Sequence, residues 1–315
     1  LRKIFRAYRS RLLHKVRTMS IISSRFRRGA ALAAIVLSMA VAGAVHADTV
    51  DHFDDTSRIV SVGGSLTEIV YALGAEEMLV ARDQTSVYPD AVKKLPDIGY
   101  MRQLAPEGVL SVNPTGILLL EGSGPQDTLD VLKKASVPMI VVPETYTGES
   151  VAKKIEIVGK ALGLEDKARA LAADVWRDIS VAEKAAAAHG SRKRVLFVLS
   201  APGGRMMASG AGTAANGMIE LAGGQNVLTE YHGYKQLTDE AIEKAAPDMI
   251  LIMDTGADGL TPESLLKNPV IAATPAGRDK NVVSMEATYL LGFGPRTGAA
   301  IRDLSTKLYG APSAQ

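Results

Sequence analysis

An α/β protein of two Rossmann-like lobes, joined by a single long helix, is predicted by three observations. Apolar strands alternate with helical segments over 58–142, and the alternation resumes at Arg194. Between these stretches, 150–189 is helical almost without a break and rich in Ala, Lys, Glu and Leu. The two halves also repeat one another. Leu104-Ala105-Pro106-Glu107-Gly108-Val109, continuing to Pro114 and Ile117-Leu118, recurs as Leu237-Thr238-Asp239-Glu240-Ala241-Ile242, Pro247 and Ile250-Leu251, each matched pair 133 positions apart without a gap. With 315 residues, 47% of them hydrophobic, the chain can bury two moderate cores. The expected divisions are a leader over 1–47, an N-terminal lobe over 48–149, a connecting helical segment over 150–189 and a C-terminal lobe over 190–315.

In chain order, Arg58 to Val62 reads as a buried strand. Gly63-Gly64 follows as a turn, and Ser65-Leu66-Thr67-Glu68 has the pattern of a capping box opening a helix that runs to Gly74. Met78 to Arg82 is the next strand. A helix near Pro106 to Val112, a strand Gly116 to Leu120, a helix Gln126 to Ala135 and a strand Pro138 to Val142 complete a parallel sheet covered by helices. The helical segment breaks only around Gly163. Its second part, Glu165 to Ala188, would extend roughly 36 Å at 1.5 Å per residue, long enough to cross between lobes. Trp176 lies within it and reads as a packing residue. The second lobe is expected as strand Arg194 to Leu199, a glycine-rich loop through Arg205-Met206-Met207 and helices Thr213 to Leu221 and Thr238 to Ala245. Strands Met249 to Met253 and Asn281 to Met285, the loop Thr255 to Gly259 and a closing helix Pro295 to Leu308 finish it.

The first 47 residues differ from the rest: ten Lys or Arg and no acid. From Met19 a basic stretch, Arg25 to Arg28, precedes the apolar run Ala30 to Val45 and the small-x-small site Val45-His46-Ala47, the pattern of a cleavable export signal. Met19 is the alternative start. Removing the ten bases leaves 26 of the 36 Lys and Arg against 34 Asp and Glu, a formal charge of −8, which takes away the support for nucleic-acid binding. With no cysteine, disulfides, zinc-thiolate sites, iron–sulfur clusters and thiol catalysis are excluded. Neither G-x-G-x-x-G nor G-x-x-x-x-G-K-[ST] occurs, nor does G-x-S-x-G, so nucleotide-binding and α/β-hydrolase readings have no motif. Past the leader the histidines are His52, His189 and His232, too scattered for a metal-ion receptor. A binding protein rather than an enzyme is expected.

The stretch Pro96-Asp97-Ile98-Gly99-Tyr100-Met101-Arg102-Gln103-Leu104 places one phenol between a glycine and a cation just before a helix. Glycine frees the backbone to hold Tyr100 out from a loop. A free tyrosine titrates near ~10, so oxygen ligation at neutral pH needs a Lewis acid or nearby positive charge. Arg102 is placed to supply that charge. Glu107 and Glu240, matched by the repeat, each fall in the first turn of a helix, where a carboxylate stabilises the dipole by about 0.3–1 kcal/mol.

Taken together, these features resemble the substrate-binding proteins of bacterial ABC importers for iron complexes, haem and cobalamin, and most closely the periplasmic haem-binding group. The residues carrying the resemblance are Arg58 to Ile69, Leu95-Pro96-Asp97-Ile98-Gly99-Tyr100 and Leu104 to Leu110. It implies a class III substrate-binding fold, haem b as the transported ligand, an ABC permease dimer as partner, a periplasmic location and a monomer. It further implies Tyr100 as the axial iron ligand, with Arg102, Gly63, Gly64, Arg205, Met206, Met207 and Arg296 around the haem and Glu107 and Glu240 docking the permease. Relatives that stack two haems use a histidine in the loop matching Arg205 to Met207. None stands there in this chain, so one five-coordinate haem is expected. The arginine that some relatives place in the loop matching Thr255 to Gly259 is also missing, leaving Arg102 or Arg296 to substitute. A ferric-siderophore or cobalamin receptor is the alternative.

Overall fold

The computed structural model describes residues 51–256 and 259–310. The expected leader and its cleavage site lie outside the described residues, as do Ala257 and Asp258 of the 255–259 loop. No helix among the described residues is long and apolar enough to cross a membrane.

The N-terminal lobe runs β1 (Ile59–Val62), α1 (Gly64–Ala72), β2 (Leu79–Arg82), α2 (Pro106–Leu110), β3 (Gly116–Leu120), α3 (Gln126–Lys134) and β4 (Met139–Val142). Its sheet has the order β2-β1-β3-β4 and is parallel throughout. Helices cover such a sheet on its faces, and β1 and β3 are accordingly buried along their whole length. One expectation fails here. Ser65 to Glu68 do not form a capping box: Gly63 is the N-cap, Gly63 O accepts the Leu66 and Thr67 amides, and all four residues sit inside the helix. The Ser65 and Glu68 side chains are taken by contacts across the molecule instead.

Two helices follow, α4 (Gly148–Ala161) and α5 (Glu165–Ala187). At 23 residues α5 spans roughly 35 Å. Its buried residues are Ala168, Ala172, Val175, Ile179, Ala182 and Ala186, spaced alternately by four and three, mostly small. That stripe lets α5 lie close between α4 and α12 (Thr297–Tyr309). A Cβ on Gly159 would meet the Ala168 Cβ, and one on Gly298 would meet the Asp178 carboxylate. Trp176 is 43% exposed on this helix, with its ring edge near Gly148.

The C-terminal lobe comprises β5 (Arg194–Ser200), β6 (Met207–Ser209), α6 (Ala214–Leu221), β7 (Gln225–Asn226), β8 (Tyr234–Gln236), α7 (Asp239–Ala245) and β9 (Met249–Asp254). Short helices α8 (Pro262–Leu266), α9 (Pro269–Ala273) and α10 (Pro275–Arg278) precede β10 (Val282–Glu286) and α11 (Ala287–Leu291), and α12 closes the chain. The sheet order is β10-β9-β5-β6-β8. β10, β9 and β5 are parallel, whereas β6 and β8 turn antiparallel at the edge. The stretch read as a glycine-rich loop is thus a short turn, Pro202–Gly204, leading into strand β6.

Successive strand residues face opposite ways, and β5 uses both faces. Val195 and Phe197 belong to the large core that runs through the N-terminal lobe, α4, α5 and α12, while Leu196 and Val198 belong to a second core with Met206, Ile242 and Ile252.

Candidate functional site: a cleft between the lobes

A cavity of about 720 Å3 opens where the carboxyl ends of the strands of both sheets meet, the usual ligand position in α/β sheets and within the size range of small-molecule sites. Gly64 and Ser65 at the start of α1, Thr85, Leu120, Glu121, Glu144 and Tyr146 line one side. Thr213 and Ala214 at the start of α6, Gly233-Tyr234, Met253 and Thr288 line the other, and Tyr100 and Arg102 stand over it.

Tyr100 is mounted rigidly. The segment before it pairs with the edge of the N-terminal sheet through an Arg82–Asp97 bridge, with Arg82 N donating to Pro96 O and Ile98 N to Arg82 O, both at 3.0 Å. Gly99 then turns with φ 99°, in open space where no side chain is crowded, and its carbonyl accepts from Gln84 N at 2.9 Å. This is the backbone freedom the sequence pattern anticipates. Arg102 Nη1 donates to Tyr100 Oη at 2.8 Å. The guanidinium thus sits where a phenolate bound to a Lewis acid would carry its negative charge.

The wall beside Tyr100 is set by Asp83, fully buried and four-fold hydrogen-bonded. It accepts from Gly63 N, Thr85 N, Thr85 Oγ1 and Ser86 Oγ at 2.8–3.0 Å. Thr85 Oγ1 in turn accepts from Gly64 N at 2.9 Å. Gly64 lines the cavity and packs so tightly that a Cβ would lie 2.5 Å from Thr85 O. Gly63 is different: buried, with φ 115° and a notional Cβ against Leu120, it shapes the turn without reaching the cavity.

Deeper in, Glu144 is 91% enclosed by side-chain area, being 9% exposed, and its Oε2 accepts from Lys154 Nζ at 2.7 Å. Lys154 is fully buried on α4 and donates also to Ser65 Oγ at 3.2 Å and Phe293 O at 3.1 Å. Burial depresses the Lys154 ammonium, with Glu144 opposing, and burial raises the Glu144 carboxyl, with Lys154 opposing. Glu121 Oε2 accepts the Glu144 amide at 2.9 Å. Burial likewise raises the Tyr146 and Tyr234 phenols, and Arg102 pulls both the other way.

Of the residues singled out in the sequence, Tyr100, Arg102 and Gly64 meet in this cavity. Four do not. Met206 is 2% exposed in the second core, where its thioether fills the space under β6. Arg205 and Met207 lie outside the lining, Arg205 exposed at the turn and Met207 paired into β6 opposite Gln236. Arg296 is held elsewhere: its guanidinium makes a two-pronged pair with Glu68, at 3.0 and 2.5 Å, and stacks on the Tyr88 ring at 3.8 Å. It therefore cannot substitute as the cation beside Tyr100. Glu107 and Glu240 are exposed in the first turns of α2 and α7, away from the cavity. Tyr234, Tyr146, Glu121, Glu144 and Lys154 are additions the structure makes. Lys154 left a signal, since it interrupts the apolar stripe Val151, Ile155, Val158 of α4.

Two α/β lobes, one long helix packed between their helices and a cleft at the strand ends define a class III substrate-binding protein. The chain belongs to the periplasmic binding protein family, whose model matches residues 59–289. Among solved structures it is similar to the periplasmic haem-binding protein BhuT in complex with two haems, at 40% identity and TM-score 0.75, covering 80% of this chain and 97% of that one. It is similar also to the periplasmic haem-binding protein RhuT from Roseiflexus sp. RS-1 in apo form, at 37% identity and TM-score 0.76, covering 81% and 98%. An uncharacterised ABC transporter substrate-binding lipoprotein, YvrC of Bacillus subtilis, is 29% identical over 81% of each chain.

Proposed function

We propose that this protein is a periplasmic receptor that binds ferric haem b between its lobes through Tyr100 Oη and delivers it to the permease dimer of an ABC importer. The observation that carries the reading is the Tyr100 phenol over the inter-lobe cavity with Arg102 donating to its oxygen at 2.8 Å. Tyrosinate is a recognised ferric haem ligand, and an arginine fixed against it offsets the negative charge. The similarity to haem-binding proteins at 37–40% identity supports the same ligand. The cavity's apolar lining, Leu120, Leu199, Met253 and Leu291, suits a porphyrin face. Glu107 and Glu240, exposed at matching points of the repeat, would each meet one half of the permease dimer. The binding role rests on the family, and no reaction is assigned to the cavity.

Titrating the purified chain with ferric haem tests this. A saturable complex with a phenolate-to-iron charge-transfer band is expected. Absence of that band, together with tight binding of cobalamin or a ferric siderophore, would overturn the reading in favour of the alternative.

A further inference from the structure

The internal repeat extends further than the gapless match suggests. Upstream of Leu104 stands Gly99-Tyr100-Met101-Arg102-Gln103, and upstream of Leu237 stands Gly233-Tyr234-Lys235-Gln236. One residue is missing from the second copy, so the Gly-Tyr pairs match at an offset of 134 and the Gln-Leu pairs at 133. The structure treats the two copies alike. Gly99 and Gly233 both turn with positive φ, 99° and 78°, in open space. Each follows an isolated bridge to its own lobe, Arg82–Asp97 and Ala211–His232. Each is pinned by backbone hydrogen bonds, Gly233 donating to Ala211 O at 3.0 Å and accepting from Gly210 N at 2.7 Å. Both tyrosines line the same cavity from opposite lobes. Arg102, which donates to Tyr100 Oη, also opposes the burial that raises the Tyr234 phenol, whereas Lys235 extends its ammonium over the Tyr231 ring.

We infer that Tyr234 is a second phenolic ligand for ferric iron, presented by the C-terminal lobe. This rests on the haem reading and replaces the five-coordinate arrangement expected from the missing histidine. On ligation the phenol proton passes to solvent as the oxygen displaces water or hydroxide from ferric iron, with no change of oxidation state. Tyr234 is 39% exposed into the cleft and makes its backbone contacts through β6, so Tyr234→Phe removes the oxygen without disturbing the core.

The test is resonance Raman and absorption of ferric-haem complexes of Tyr100→Phe, Tyr234→Phe, Tyr146→Phe and the Tyr100→Phe/Tyr234→Phe double variant, with circular dichroism of each apoprotein as the fold control. Iron–phenolate bands should survive, weakened, in each of the Tyr100 and Tyr234 single variants and vanish in the double variant. Haem stoichiometry then tells whether the two phenols share one iron or hold one each. If Tyr100→Phe alone abolishes the bands while Tyr234→Phe leaves spectrum and affinity unchanged, the inference falls and the haem reading stands. If the double variant keeps bands that only Tyr146→Phe removes, it also falls. Were the unaltered protein to show no iron–phenolate band, the haem reading itself would fall.

Discussion

In the N-terminal lobe the Gly-Tyr turn hangs from a four-stranded sheet that is parallel throughout, while in the C-terminal lobe its counterpart opens β8, an antiparallel edge strand. The sheets differ at the very edge that carries the tyrosine, yet each phenol reaches one cavity. What the copies share is local: an edge bridge, then a glycine with positive φ, then the phenol, then a helix opening on an exposed glutamate. The difference between the lobes teaches that this short unit, not the strand order behind it, brings each phenol to the cavity.

The largest expected effect tests whether the repeated glutamates act as a pair. Glu107→Lys with Glu240→Lys should abolish haem-stimulated ATP hydrolysis by the reconstituted transporter while leaving the haem spectrum intact, because rim charges govern encounter and orientation. Full stimulation in the double variant would return both residues to stabilising their helix dipoles. Next, Tyr100→Phe should weaken haem binding at least about tenfold, ~1.4 kcal/mol, measured by competition with a haem acceptor. Equal losses from Tyr100→Phe and Tyr234→Phe would make the lobes equivalent, and a larger loss from Tyr100 would credit the Arg102 hydrogen bond that Tyr234 lacks.

A third substitution probes what binds the lobes together. Lys154 joins Ser65 and Glu144 to Phe293 O of the opposite lobe, and Glu68 with Arg296 forms a second link. Lys154→Met leaves Glu144 buried without its cation and should cost about 3–5 kcal/mol, seen as a lower denaturant midpoint. An unchanged midpoint would mean that water replaces the lysine. The smallest effect concerns closure. Two buried charged links and a helix packed against both lobes leave little room to hinge, so adding haem should barely change the radius of gyration in solution scattering. A large drop would show that the links open.

Much of this architecture was legible beforehand. β3 matches its expected limits, Gly116–Leu120, because a continuous apolar run bounded by turn residues leaves little freedom. The turn that carries Tyr100 was legible because Gly99 frees the backbone before it, whereas a binding role for Tyr100 and Arg102 came from the family resemblance. Tyr234 escaped because the single-residue deletion hides its Gly-Tyr pair from a gapless comparison. Arg205 to Met207 misled for a different reason: glycines at 203 and 204 suggested a loop, but β6 pairs between β5 and β8 and drives Met206 into a core. Side chains such as Arg296 and Glu68, 228 positions apart, find each other only through tertiary packing that local pattern does not encode.

The core shared by the N-terminal lobe, α4, α5, α12 and one face of β5 has a thermodynamic corollary. Neither lobe owns a complete interior, since stripping the C-terminal half away would remove α12 with Ile301 and Leu304 and expose Val175, Ile179 and Ala182 of α5. Melting should accordingly be a single cooperative event, with calorimetric and van't Hoff enthalpies in agreement. The outer layer of α8, α9 and α10 over the second core is where native-state hydrogen exchange should find its earliest partial opening.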